Sequence, residues 1–208
     1  MTDHEFIELC KSGSLRQIED AIKNGADVNA EYDGYSTPLK SAAGQNTDPN
    51  VITALIKAGA EVDVRDGEGT TPLMWAASNS SPEVITALIE ANANVNAQDN
   101  EGRTPLIWAV KHNADPKVIM ILLKFGTDPL KRDKFDKLAL DYANENKYLG
   151  PTRNYAIAKL RGISSLDKIC AFNFSSADLG GKMQRLFRRF IGAFYRNRDI
   201  GWKGRETK

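Results

Sequence analysis

Thr37-Pro38-Leu39, Thr71-Pro72-Leu73 and Thr104-Pro105-Leu106 place one tripeptide at intervals of 34 and 33 residues. A self-similar period of that length means a chain built from like supersecondary units. Two further markers keep step with it. The first is "GADVN" from Gly25, "GAEVD" from Gly59, "NANVN" from Asn92 and a degenerate "GTDPL" from Gly126. The second is "DPNVITALI" from Asp48, "SPEVITALI" from Ser81 and "DPKVIMILL" from Asp115.

Each marker has a local physical reading. Thr before Pro before an apolar residue is a helix start, because the hydroxyl caps a free N–H and proline fits the first turn. Asp48-Pro49, Ser81-Pro82 and Asp115-Pro116 repeat the device at a second helix. Val51, Ile52, Leu55 and Ile56 then recur at helical spacing as Val84, Ile85, Leu88 and Ile89, and again as Val118, Ile119, Leu122 and Leu123. Gly25, Gly59, Asn92 and Gly126 follow, residue types that tolerate a left-handed helix end. The first unit lacks Thr-Pro-Leu but carries two capping-box sequences, Thr2 to Glu5 and Ser14 to Gln17. The last degenerates through Asp136, Lys137, Leu138, Ala139 and Leu140, with a second helix expected after Pro151. Helices this short cannot bury an apolar face alone, so neighbouring units must stack.

Period and Thr-Pro-Leu signature together resemble the ankyrin repeat over roughly residues 1–160, and the Asp-Pro before the second helix resembles bacterial arrays. The resemblance implies an all-α repeat protein: a solenoid of about five helix-turn-helix units with β-turn fingers. Three departures stand out. Lys40, Met74 and Ile107 occupy the position where the family has His. Ser41, Trp75 and Trp108 replace the usual Leu. Tyr32 and Tyr35 stand where finger one should have Asp and Gly, with Gly34 one place early, so a shifted turn is expected there.

The family's mode of use implies a protein partner gripped by finger tips and the inner helix face. The matching positions are Asp33, Tyr35, Ser36, Glu68, Thr70, Asn100, Glu101, Arg103, Lys134 and Phe135 on fingers, with Gln45, Ser78, Asn79, Lys111 and His112 on helices. Exposed aromatics at finger tips make Tyr35 and Phe135 the leading candidates. Trp75 and Trp108, one repeat apart, read either as binding anchors or as a packing ladder continued by Tyr142.

Catalysis finds no footing. The sequence has two histidines, His4 and His112, and no nucleophile elbow, Walker loop or zinc-protease motif. Asp66-Gly67-Glu68-Gly69 lacks the lysine of a phosphate loop and falls in a finger. The calcium spacing of an EF-hand is absent. Cys10 and Cys170 have no CxxC neighbour or clustered His, so neither a disulfide framework nor a zinc site is expected. A non-enzymatic, monomeric protein without cofactor or metal follows. "MTDHEFIELCK" has no basic-then-apolar leader, which makes the cytoplasm the expected location; delivery into another cell as an effector without such a leader stays compatible.

The period ends near residue 162. Residues 163–180 read as a connector and 181–208 as a basic amphipathic tail. Met183, Leu186, Phe187, Phe190, Ile191 and Phe194 form one helical stripe, opposite Lys182, Arg185, Arg188, Arg189, Arg196 and Arg198. The whole chain carries only +1, so this basic tail leaves the preceding body acidic. The stripe fits three uses: covering the open end of the solenoid, lying on an anionic membrane, or contacting nucleic acid or protein.

Overall fold

The computed structural model describes residues 1–79, 81–112 and 115–146. The helices are α1 (Asp3–Ser12), α2 (Leu15–Lys23), α3 (Pro38–Gln45), α4 (Pro49–Lys57), α5 (Pro72–Asn79), α6 (Pro82–Glu90), α7 (Pro105–His112), α8 (Pro116–Lys124) and α9 (Ala139–Glu145). They form four helix pairs and the first helix of a fifth, an all-α repeat solenoid. The second helix expected after Pro151, the connector and the tail lie outside the described residues.

Helix starts follow the sequence rules. Thr2 and Ser14 head complete capping boxes. Thr37 Oγ1 accepts the Lys40 N–H at 3.3 Å, and Thr71 and Thr104 do the same for Met74 and Ile107. The Thr cap therefore survives without the family's His. Asp48 and Asp115 cap α4 and α8, whereas Ser81 makes no side-chain cap bond to α6. Gly25, Gly59, Asn92 and Gly126 all take positive φ at helix ends.

Packing runs in two rows. The inner row is α1, α3, α5, α7, α9 in order and the outer row α2, α4, α6, α8, with the inner row in closer mutual contact. Ala42, Ala43, Ala76, Ala77 and Ala109 are buried in the inner helices, small enough to let the backbones approach. Val51, Ile52 and Leu55 with their counterparts Val84, Ile85, Leu88 and Val118, Ile119, Leu122 fill the space between the rows. Each such aliphatic side chain contributes about 1.5–3 kcal/mol on burial. The outer helices contact the neighbouring units as well as their own inner helices, so stability belongs to the stack. Cys10 is part of this core, its thiol pushed up to about 12 by burial.

Two hydrogen-bond ladders fix the stacking register. In the first, the last residue of the "GADVN" marker reaches the next unit's loop. Asn29 Nδ2 donates to Gly59 O at 3.0 Å while its Oδ1 accepts the Glu61 N–H at 2.9 Å. Asn96 repeats this with Gly126 O at 3.1 Å and Asp128 N at 2.8 Å. Asp63, between them, accepts from Asn94 N at 3.0 Å but has no amide to donate. Leu130 ends the series, 71% exposed.

The second ladder joins the fingers, which are residues 32–36, 66–70, 99–103 and 133–137, numbered one to four. Gly67 N donates to Gly34 O, Asn100 N to Glu68 O, and Lys134 N to Glu101 O, at 3.2, 2.9 and 2.8 Å. Gly102, at φ 77°, lets finger four come this close: a Cβ there would stand 3.1 Å from the Asp133 and Lys134 backbone. Finger one has the expected shifted turn. Tyr32 and Ser36 form an antiparallel bridge around Asp33 and Gly34 at φ 57° and 66°. The later fingers turn one residue further on, at Gly69, Gly102 and Asp136.

Candidate partner-binding face

Each later finger is built on a buried carboxylate. In finger three, Asp99 Oδ1 accepts the N–H groups of Glu101 and Arg103 at 2.9 Å each. Its Oδ2 accepts Arg103 Nε at 2.7 Å and the Trp108 indole at 2.9 Å. Asp133 Oδ1 closes finger four on Phe135 and Lys137 in the same way, and its Oδ2 takes the Tyr142 hydroxyl at 2.5 Å. Burial raises the Asp133 carboxyl, but these donors outweigh it and hold it below the usual range. Tyr142 answers by shifting to about 12, first through burial and then through Asp133. In finger two, Thr70 stands between: its hydroxyl donates to Asp66 and accepts the Trp75 indole at 3.0 Å.

Asp66 also receives a lysine from the unit before it. Lys40 is 3% exposed, and its Nζ donates to Asp66 Oδ2 at 2.6 Å and to the Tyr35 carbonyl. Burial lowers Lys40 from its ordinary value, opposed by Asp66. Burial likewise raises Asp66, and the bonds from Lys40 and Thr70 more than reverse this. Lys40 thus ties finger one to finger two. In the sequence Lys40 stands only as a replacement for the family's His, because its partner lies in the next repeat.

The helix-side face is a row of half-buried aromatics. Trp75 and Trp108 stand 6.5 Å apart between ring centroids. Trp75 packs over the place of Gly44, where a Cβ would lie 3.4 Å from the ring. All three polar handles, on Trp75, Trp108 and Tyr142, turn inward to the finger bases, so the ladder reading holds for their packing. What they show to solvent is apolar. Arg103 covers Trp108 at 4.8 Å, and Lys111 and Lys137 stand 5.6 and 5.2 Å from the Tyr142 centroid.

The candidate residues divide by placement. Tyr35 and Phe135 are 53% and 62% exposed at opposite ends of the finger row. Asp33, Gln45, Glu68, Asn79, Asn100, Glu101, His112 and Lys134 are also exposed, while Ser36, Arg103 and Lys111 are half-buried. Thr70 and Ser78 do not belong to this surface. Thr70 is 1% exposed and relays Trp75 to Asp66. Ser78 is buried and donates to the Trp75 carbonyl at 2.9 Å. The Trp75 indole lies against Thr70, and the turn of α5 itself holds the Ser78 hydroxyl. Asn100 has a scaffold bond as well, from Nδ2 to Gly67 O at 2.9 Å. Lys182, Arg185, Arg188, Arg189, Arg196 and Arg198 lie outside the described residues. Among the described residues no acid–histidine–cysteine cluster fits a metal, and no helix is long and apolar enough to cross a membrane.

His112 stacks on Trp108 at 5.4 Å. Its pKa is lowered by burial first, then by Lys111 and Arg103. The folded state therefore takes up this proton less readily than the unfolded state, and stability is lost as pH falls through the ordinary histidine range near 6.5. Melting temperatures measured from pH 8 to pH 5 are expected to drop more for the wild type than for His112→Gln. Parallel curves would show that the stacked ring is not penalised on protonation.

The family model described as ankyrin repeats in three copies matches residues 6–99 and 39–133, covering more than half of the chain. No curated protein matches it.

Proposed function

Because the chain belongs to the ankyrin-repeat family, whose repeats generally serve protein–protein interaction, we propose that it is a non-enzymatic adaptor gripping a protein through finger tips and the inner-helix face. The observation that carries this is the division of labour along the finger row. The basal aspartates and the backbone satisfy the fold, while Tyr35 and Phe135 stay exposed at the tips. Large aromatics left at the surface of a rigid scaffold are suited to act as anchors, since little ordering is required on binding. Contacts to the apolar row of Trp75, Trp108 and Tyr142 would add area beside them.

The test is affinity capture from the native host with the full chain, read against a Tyr35→Ser/Phe135→Ser variant whose circular dichroism matches the wild type. Proteins enriched by the wild type are expected to fall about tenfold or more with the variant, the loss that 1.4 kcal/mol implies. Equal enrichment would remove the tips from the binding site.

A second reading rests on the sequence of residues 181–208 alone. Six basic residues opposite an apolar stripe favour attachment to an anionic membrane or nucleic acid, with the repeats recruiting a partner. Co-sedimentation with anionic vesicles, and nucleic-acid affinity across a salt series, decide it. Binding that survives deletion of residues 181–208 would refute that role for the tail.

A further inference from the structure

Two equivalent finger positions become more basic along the array, one of them reversing sign. One series runs Asp33, Gly67, Asn100, Lys134, and another Ser36, Thr70, Arg103, Lys137. Sister units fold with glycine, asparagine or threonine at these places. Asp33 stands at φ 57° in the shifted first turn, but that conformation asks for a residue such as Asp or Asn and not for a charge. At the first end, Glu31 and Asp33 are exposed and no cation belongs to that finger. At the other, Lys131, Arg132, Lys134 and Lys137 accompany Asp133 and Asp136. Asp133 is enclosed in its turn. Arg132 pairs with Asp136 at 3.5 Å and Lys137 with Glu145 at 2.9 Å. Lys134 is exposed and pairs with no acidic side chain among the described residues. Lys111, on α7, is a further cation of the inner-helix face and stands over the Tyr142 ring.

An exposed aromatic marks each charged end, Tyr35 with the acids and Phe135 with Lys134. Three steps of helix packing separate them, about 25–30 Å. Screening at physiological salt acts over about 8 Å. A partner therefore meets two separate fields of opposite sign, whatever the net charge of the chain. Complementary potentials of this kind set orientation and association rate more than total affinity.

From this we propose that the partner segment is itself charge-polarised: its basic end lies on finger one at Glu31, Asp33 and Tyr35, and its acidic, apolar-bearing end on finger four at Lys134 and Phe135. The proposal rests on the protein-binding reading above and gives that face a direction.

The probe is a synthetic peptide of about 20 residues, long enough to span the distance even as a helix, with a lysine–leucine half and a glutamate–phenylalanine half. A paramagnetic tag is placed at one end or the other, and amide spectra of the labelled full chain are recorded at low salt. With the tag on the acidic end, broadening is expected at Lys134 and Phe135, about fivefold or more above that at Asp33 and Tyr35, an orientation preference that two opposed charge contacts can supply. Moving the tag to the basic end should reverse the pattern, and Asp33→Lys with Lys134→Glu should abolish or invert it. Equal broadening at both fingers, the opposite polarity, or no localised broadening would each overturn the proposal. If the Tyr35→Ser/Phe135→Ser variant loses captured proteins while the peptide shows no preference, protein binding stands and polarity fails. Peptide held only by residues 181–208 leaves both fingers unbroadened and counts against it.

Discussion

Replacing Lys40 by alanine is expected to lower the unfolding free energy by about 3–5 kcal/mol, because it leaves the other half of a buried ion pair uncompensated. Both side chains are 3% exposed, and the pair closes at 2.6 Å. Without the ammonium, Asp66 keeps only its bonds within finger two, and the Tyr35 carbonyl loses a donor. Lys40→Met/Asp66→Asn should cost less than the two single changes added together, since no charge is then left alone. Urea unfolding of the wild type, Lys40→Ala, Lys40→Met, Asp66→Asn and the double variant measures this. A Lys40→Ala cost below about 1 kcal/mol, the value for an exposed pair, would mean that water reaches the site. A buried pair seldom outperforms well-packed apolar residues in stability. Its use here is alignment, since Lys40 bonds simultaneously to the end of finger one and the base of finger two.

Asp99→Ala is expected to cost a similar amount, about 3–5 kcal/mol, from hydrogen bonds to a charged acceptor worth about 1.5–3 kcal/mol each. Four donors converge on this carboxylate, whose side chain is fully enclosed. Asp99→Asn discriminates between its oxygens. The amide oxygen can still close the finger turn, but the amide nitrogen then faces Arg103 Nε and the Trp108 indole, donor against donor. A loss of about 2–3 kcal/mol is expected from that one face, with a shifted Trp108 indole resonance. An asparagine variant as stable as the wild type, with an unmoved indole, would show that the turn is the carboxylate's whole contribution.

Much of the scaffold was legible because its signals are local and repeat. Capping boxes at Thr2 and Ser14, prolines after Thr37, Thr71 and Thr104, and left-handed ends from Gly25 to Gly126 each depend on a few adjacent residues. The shifted first turn was legible for the same reason, from Gly34 standing one place early between Tyr32 and Tyr35. Comparison of equivalent positions fails where a side chain leaves its own unit. Lys40 reads as a lost histidine until Asp66, 26 positions on, is seen beside it. Thr70 and Ser78 have the right register for a binding face, yet both hydroxyls are buried and bonded inward. Thr70 bonds to Asp66 and the Trp75 indole and Ser78 to the Trp75 carbonyl, which register alone does not report. The pairing of indoles with finger aspartates was hidden too, because one uses Thr70 as a relay and the other bonds directly. Charge reversal between Asp33 and Lys134 lies in the sequence, but its separation and exposure come only from the stacked fingers.

The asparagine ladder has a consequence for how such a chain can lengthen. Asn29, Asp63 and Asn96 each hand a hydrogen bond forward to the loop of the following unit, and Leu130 hands on nothing. A duplicated unit inserted after Asn29, Asp63 or Asn96 would find a ready socket on its upstream side and supply one downstream. Inserted after Leu130, it would meet a hydrocarbon where its loop N–H needs an acceptor. Growth in the middle of the array therefore keeps this ladder unbroken, whereas growth directly after Leu130 proceeds without its help, a difference written in one side chain.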